Sequence, residues 1–266
     1  MPPVITIDDP DDPRIEAFRN VRDRDVVGRG EGFIAEGEVV IRQLLRSADF
    51  EAASLLVAAH RIETRHALLA EVPDAAPVYA AGQSVMNAIV GFDIHRGLLA
   101  LGRRRQDRSA DDLIQTRPRT VVGLVGIANH DNMGGIFRNC AAFGVDTVLL
   151  DETSCDPLYR KALRVSVGGI LRVPFARAGS GPDLVERLRR HGYTPVGLSP
   201  AGSRTLSEIG AIPNAALILG AEGPGLPDDV LRAATTVRID MSGGFDSLNV
   251  ATTSGIALYE LTRREA

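Results

Sequence analysis

The 266-residue chain has no tryptophan, only two cysteines, and a single lysine, Lys161, among its 30 basic residues. Its longest apolar runs, such as residues 121–127 and 215–219, are far too short to span a bilayer. Residues 1–12 are acidic and proline-rich, with no basic start followed by an apolar stretch, which argues against a secretory signal or a transit peptide. Cys140 and Cys155 belong to no Cys/His spacing of the zinc kind, so no metal site is expected. Two free thiols fit a reducing cytoplasm, and a cytoplasmic protein that makes no use of a membrane is the expectation.

What is present is ordinary for a soluble globular protein: 44% apolar and 24% charged residues, with length enough for two domains. The net charge of −4 speaks against a nucleic-acid partner until it is resolved along the chain. Residues 1–101 carry 10 arginines against 16 acids, whereas residues 102–119 carry 6 arginines against 3 acids. The basic excess gathers at Arg103, Arg104, Arg105 and Arg108. This stretch reads either as a solvated linker or as a phosphate contact, since arginine grips phosphate with a planar fork.

Two α/β halves flank that stretch, and the expected division is 1–101, a basic linker over 102–119, and 120–266. In the first half, strands are expected near 32–35, 52–58, 78–79 and 97–101, with helices over 60–72 and 83–90. His95 beside Arg96 reads as a turn histidine with a structural hydrogen bond. In the second half, longer apolar segments at 120–127, 146–151, 170–175, 193–199 and 215–220 read as strands. A further short strand is expected at 237–241. Helices are expected near 132–143, 157–165, 183–191 and 247–263. Continuous apolar strands separated by helices imply a mostly parallel sheet, whose ligands sit beyond the carboxyl ends of its strands.

Three loops at those ends are unusual. The first is Asn129-His130-Asp131-Asn132-Met133-Gly134-Gly135-Ile136-Phe137-Arg138-Asn139. Asp131 or Asn132 is suited to cap a helix, and two glycines in its first turn suggest close approach by another backbone or a ligand. The second, Leu219-Gly220-Ala221-Glu222-Gly223-Pro224-Gly225-Leu226-Pro227, is rigid and tightly bent. It contains neither Gly-x-Gly-x-x-Gly nor a following Lys-Ser/Thr, the two usual phosphate-cradling patterns. The third runs Ile239-Asp240-Met241-Ser242-Gly243-Gly244-Phe245-Asp246-Ser247-Leu248-Asn249-Val250, with Ser247 the expected cap of the last helix.

Together these loops resemble the SpoU/TrmH family of the SPOUT methyltransferases. Asn132, Gly134 and Arg138 match its Asn-x-Gly-x-x-x-Arg pattern. Gly220, Glu222, Gly223, Gly225 and Leu226 match its Gly-x-Glu-Gly-x-Gly-Leu loop, and Ser247, Leu248, Asn249 and Val250 its Ser-Leu-Asn-Val element. The first half resembles the family's ribosomal-protein-like substrate-binding domain through Gly32-Phe33-Ile34-Ala35-Glu36-Gly37. Two positions depart from the pattern: Asp131 replaces the proline many relatives carry before Asn-x-Gly, and Asp240 the proline of Ile-Pro-Met.

The resemblance implies an α/β protein with a trefoil-knotted C-terminal domain, a mostly parallel sheet and a small N-terminal α/β domain that binds substrate. It implies S-adenosyl-L-methionine held near Leu198, Gly220, Ile239 and Leu248. It further implies a homodimer through the C-terminal domain, each site being completed by the other subunit, and methyl transfer to a ribose 2′-hydroxyl of tRNA or rRNA. A cation beside the attacking oxygen is worth most in such a displacement, which suits Arg138, with Asn132, Glu222, Ser247 and Asn249 orienting it and the ribose. Two other readings are a non-catalytic RNA-binding relative and a different α/β enzyme whose glycine-rich loop holds a nucleotide.

Overall fold

The computed structural model describes residues 2–19, 32–90, 97–242 and 247–263. His95, Arg96 and the Gly243-Gly244 pair lie outside them. The chain divides into two units, one of residues 1–107 with 158–172, the other of 108–157 with 173–266.

In the first unit the elements run β1 (Val4–Ile7), β2 (Phe33–Glu36), α1 (Glu38–Leu45), β3 (Phe50–Ala58), α2 (His66–Leu69), β4 (Val78–Ala81), α3 (Gln83–Val90) and β5 (Leu98–Arg104). The strands form one mixed sheet in the order β1-β4-β3-β5-β2, with β5 antiparallel to both neighbours. Ile7, Ile34, Leu56, Met86 and Leu99 pack in its core. The expected helix over 60–72 is instead two 3-10 turns followed by the single turn α2. No side chain caps these pieces, and only Leu68 and Leu69 in them are buried, so nothing sustains a longer helix. The stretch expected to begin a linker at 102 is still strand: Arg104 pairs with Phe50 across β5 and β3, and its guanidinium lies 5.1 Å from the Phe50 ring centre.

The second unit begins with α4 (Ala110–Gln115), β6 (Val121–Leu124), α5 (His130–Ala142) and β7 (Thr147–Leu150). The chain then contributes α6 (Arg160–Val165) to the first unit, where Arg160 bonds the buried Glu36 carboxylate at 2.6 Å. The rest of the second unit is β8 (Phe175–Arg177), α7 (Gly181–Arg190), β9 (Thr194–Leu198), β10 (Arg204–Thr205), β11 (Ala215–Leu219), α8 (Asp228–Ala233), β12 (Thr235–Arg238) and α9 (Val250–Thr262). Its strands, in the order β10-β12-β9-β11-β6-β7-β8, are parallel throughout. β6, β7 and β11 are buried along their whole length, as parallel strands covered on both faces must be.

Several boundaries differ from the sequence reading. β6 stops at Leu124 because Gly126 turns the chain at φ 71°. The segment 170–175 enters as a 3-10 turn over Gly169–Leu171, and the strand follows at Phe175. β12 ends at Arg238, leaving Ile239 and Met241 in a loop. The caps are also reassigned. Asn129, not Asp131 or Asn132, caps α5 by accepting from the Asp131 amide at 2.8 Å, and Asn249, not Ser247, caps α9.

Candidate active site

Those two cap assignments shape the site. Since Asn129 satisfies the start of α5, Asn132 sits inside its first turn with a side chain free for tertiary bonding. It is 5% exposed, and its amide donates to Glu222 Oε2 at 2.8 Å. Asn249 Oδ1 accepts from the amides of Ala251 and Thr252, at 3.0 and 3.2 Å. That use of the oxygen turns the Asn249 NH2 outward, where it donates to Asn132 Oδ1 at 2.8 Å and reaches Glu222 Oε1 at 3.5 Å. Three side chains from three separate loops thus form one closed hydrogen-bonded group.

The helices beneath are clamped to match. Gly135 faces α9 so closely that a Cβ there would lie 2.6 Å from that of Ala251, which explains a glycine in the first turns of α5. One turn on, the Asn139 amide donates to the Ala251 carbonyl at 2.7 Å and to Ser254 Oγ at 2.9 Å. Sequence reasoning missed Asn139. Its signal was its place two turns after Asn132 on the same helix face.

The glycine loop after β11 folds back on itself. Gly225 N–H donates to the Ala221 carbonyl at 3.0 Å, Gly223 and Gly225 have φ of 91° and 73°, and a Cβ on Gly220 would fall 2.4 Å from the Gly225 carbonyl carbon. Between this loop, the ends of β9 and β12, and the start of α9 lies an open cleft. Leu198, Gly220, Ile239 and Leu248 all line it, as do Glu222 and Ser247. Its wall is apolar where Leu198, Leu219, Val237 and Ile239 meet, and polar only near Ser199, Glu222, Ser247 and Thr253. Such a cleft accepts a flat heterocycle against aliphatic side chains and backbone groups. The sequence expectation made Ser247 a helix cap; here it is an exposed residue at the cleft wall.

Arg138 stands apart. It is exposed on α5, does not line the cleft, and among the described residues makes no hydrogen bond or ion pair. Within one copy of the chain, then, Asn132, Glu222 and Asn249 come together while Arg138 faces solvent.

Comparison with known proteins agrees with this geometry. Residues 119–259 match the SpoU rRNA Methylase family. An uncharacterized tRNA/rRNA methyltransferase of Mycobacterium bovis is 40% identical over 96% of this chain and 90% of its own length. The solved AdoMet-bound rRNA methyltransferase from Sinorhizobium meliloti superposes with a TM-score of 0.80 at 23% identity, covering 99% of each chain. A solved RNA 2′-O ribose methyltransferase gives 0.76 at 24% identity, over 98% of this chain and 99% of its own. A family match spanning the three site loops, with a relative similar along nearly the whole chain, places this protein in the SpoU rRNA methylase family.

Proposed function

We propose that this methyltransferase transfers a methyl group from S-adenosyl-L-methionine to a ribose 2′-hydroxyl of tRNA or rRNA. The closed Asn132–Glu222–Asn249 group beside an apolar cleft carries the reading. The cleft suits the cofactor: Leu198, Ile239 and Leu248 would bracket an adenine, and the bent Gly220–Leu226 segment offers backbone groups at its edge. When bound, the cofactor supplies an activated methyl on a sulfonium, a good leaving group, so no metal is required.

The protein's own work is positioning and charge stabilisation. Losing its proton, the ribose hydroxyl gains negative charge, and a guanidinium beside it lowers the barrier most. Arg138 fills that role and can grip the neighbouring phosphate with the same planar fork. As a base it is poorly suited, because a guanidinium gives up its proton too reluctantly in water; phosphate or solvent takes the proton. Asn132, Glu222 and Asn249 set the start of α5 against α9, and Ser247 contacts the ribose from the cleft wall.

The reading includes a homodimer, in which an exposed Arg138 reaches the partner's cleft. Of the five large hydrophobic side chains exposed among the described residues, Ile256 and Tyr259 lie on α9, three residues apart and so on one face. It also includes a trefoil knot in the second unit, RNA binding by residues 1–101 with Arg103, Arg104 and Arg105, and work in the cytoplasm. No described helix is long and apolar enough to cross a membrane. The test is transfer of isotopic methyl from S-adenosyl-L-methionine to unmodified tRNA and rRNA transcripts, followed by nuclease digestion. Label recovered in a 2′-O-methylnucleoside supports the proposal, and label on a base overturns the ribose assignment.

A further inference from the structure

Asp151 closes β7, far in sequence from every motif of the site, and is 3% exposed. Its Oδ1 receives the Gly126 amide at 3.1 Å, the Ser154 amide at 2.8 Å and the Ser154 hydroxyl at 2.6 Å, while Thr153 donates to Oδ2. Ser154 Oγ in turn accepts the Ile127 amide at 3.0 Å, and the Cys155 amide donates to the Ile127 carbonyl at 2.9 Å. The amides of Gly126 and Ile127, in the turn after β6, are therefore held by one buried carboxylate, directly or through Ser154.

That turn is the critical one. Gly126 runs at φ 71°, and a Cβ on it would lie 3.4 Å from that of Ala221 in the glycine loop. Three residues later Asn129 caps α5, and Asn132 bonds Glu222 at 2.8 Å. A helix is rigid, so where Gly126 and Ile127 point decides the rotation and height at which α5 presents Asn132 and Arg138. A shift of about 1 Å would break a hydrogen bond of that length and displaces catalytic groups enough to cost up to about 100-fold in rate.

We propose that Asp151, acting through Ser154, is a positioning residue for methyl transfer, setting Gly126 and Ile127 and thereby the placement of Asn132 and Arg138. The inference rests on the catalytic reading of Arg138 given above. What the carboxylate contributes is a pair of acceptors in a fixed place. Asparagine keeps an acceptor for the three donors at Oδ1 and can turn its NH2 to the Thr153 hydroxyl, whereas alanine leaves those donors unpaired.

The test measures methyl transfer to tRNA and rRNA transcripts, S-adenosylhomocysteine binding by calorimetry, and amide hydrogen exchange, in full-length Asp151→Ala, Asp151→Asn and the milder Ser154→Ala. Expected are a kcat about 10-fold to 100-fold lower in Asp151→Ala, a smaller loss in Ser154→Ala, and recovery of most turnover in Asp151→Asn. Dissociation constants for S-adenosylhomocysteine should stay within about threefold, because the cleft is built from other loops. Exchange at residues 126–133 should accelerate in Asp151→Ala and Ser154→Ala and not at 219–225. In a double-mutant cycle, Asp151→Ala should cost little more once Arg138 is already alanine. Unchanged kcat or exchange in Ser154→Ala, additive losses with Arg138→Ala, or a matching loss of cofactor affinity would overturn the proposal. If Arg138→Ala alone keeps full turnover, the catalytic reading fails instead, whatever Asp151 does.

Discussion

Asn249 spends its carbonyl oxygen on the first amides of α9 and its NH2 on Asn132, so one side chain both starts a helix and ties two loops together. The two duties separate by substitution. Asn249→Asp keeps an acceptor at the helix start, where a negative charge is welcome, but loses the donor and faces Glu222 with like charge. Its melting temperature should stay within a few degrees of wild type while turnover falls more than about tenfold. Asn249→Ala should lose about 0.5–2 kcal/mol as well. Equal turnover in wild type and Asn249→Asp would show that the donor does not matter.

Arg138→Ala should change stability by less than about 0.5 kcal/mol, as expected for an exposed helix residue without partners. Turnover should drop on the order of 100-fold. Arg138→Lys should rescue little, because ammonium lacks the planar fork. A pH–rate profile of the Lys variant climbing to wild type by about pH 10 would assign the residue as a base instead.

Gly135→Ala sets helix propensity against packing. In an open helix the change gains up to about 1 kcal/mol. Here the new methyl would sit 2.6 Å from the Ala251 Cβ, and overpacking of about 1–3 kcal/mol should win. Chemical denaturation should show Gly135→Ala destabilised and the double variant with Ala251→Gly partly restored. A stabilised Gly135→Ala would mean that α5 and α9 are less tightly apposed.

Sedimentation checks the apolar face of α9. If the proposed homodimer forms through this face, Ile256→Arg combined with Tyr259→Arg should convert it to monomer without unfolding the chain, since both side chains are already exposed; a wild-type monomer would overturn the dimer. A dimer unmoved by both charges would place the interface elsewhere.

The Asp151 carboxyl is disfavoured as a charge by burial, yet the hydroxyls of Ser154 and Thr153 and the amides of Gly126 and Ser154 outweigh this and hold its pKa below the ordinary 3.8. With a depressed folded value, its stabilisation is fully present above that ordinary value and fades as pH falls through the folded one. Wild type should therefore exceed Asp151→Asn in stability at neutral pH, by a gap that narrows in denaturant melts approaching about pH 3. A gap constant with pH would show that folding leaves the carboxyl's proton affinity unchanged, and one that shrinks as pH rises would show that burial keeps it protonated.

Much of the catalytic half was legible because its strands are continuous apolar runs and its loops carry glycines at strand ends. Strand order pointed only to the loops at the carboxyl ends of the strands; the family resemblance named positions 198, 220, 239 and 248, and all four line one cleft. Misplaced caps came from choosing among several eligible side chains: Asn129, Asp131 and Asn132 are equally capable locally, and only the bond to Glu222 decides that Asn132 is needed elsewhere. β1 was missed since four residues at the chain start carry almost no period, and their pairing with β4 is entirely tertiary. Asp151 was invisible for the same reason, its partners lying in neighbouring loops.

The excursion of residues 158–172 into the first unit also bears on modularity. Residues 1–107 hold 13 arginines against 17 acids, and 158–172 bring Arg160, Lys161, Arg164 and Arg172 with no acid, so the assembled unit is formally neutral. A single cut at residue 107 would strand an acidic fragment with Glu36 deprived of its arginine. Moving this unit onto another scaffold would therefore require two separated stretches of the chain, 1–107 and 158–172, to travel together.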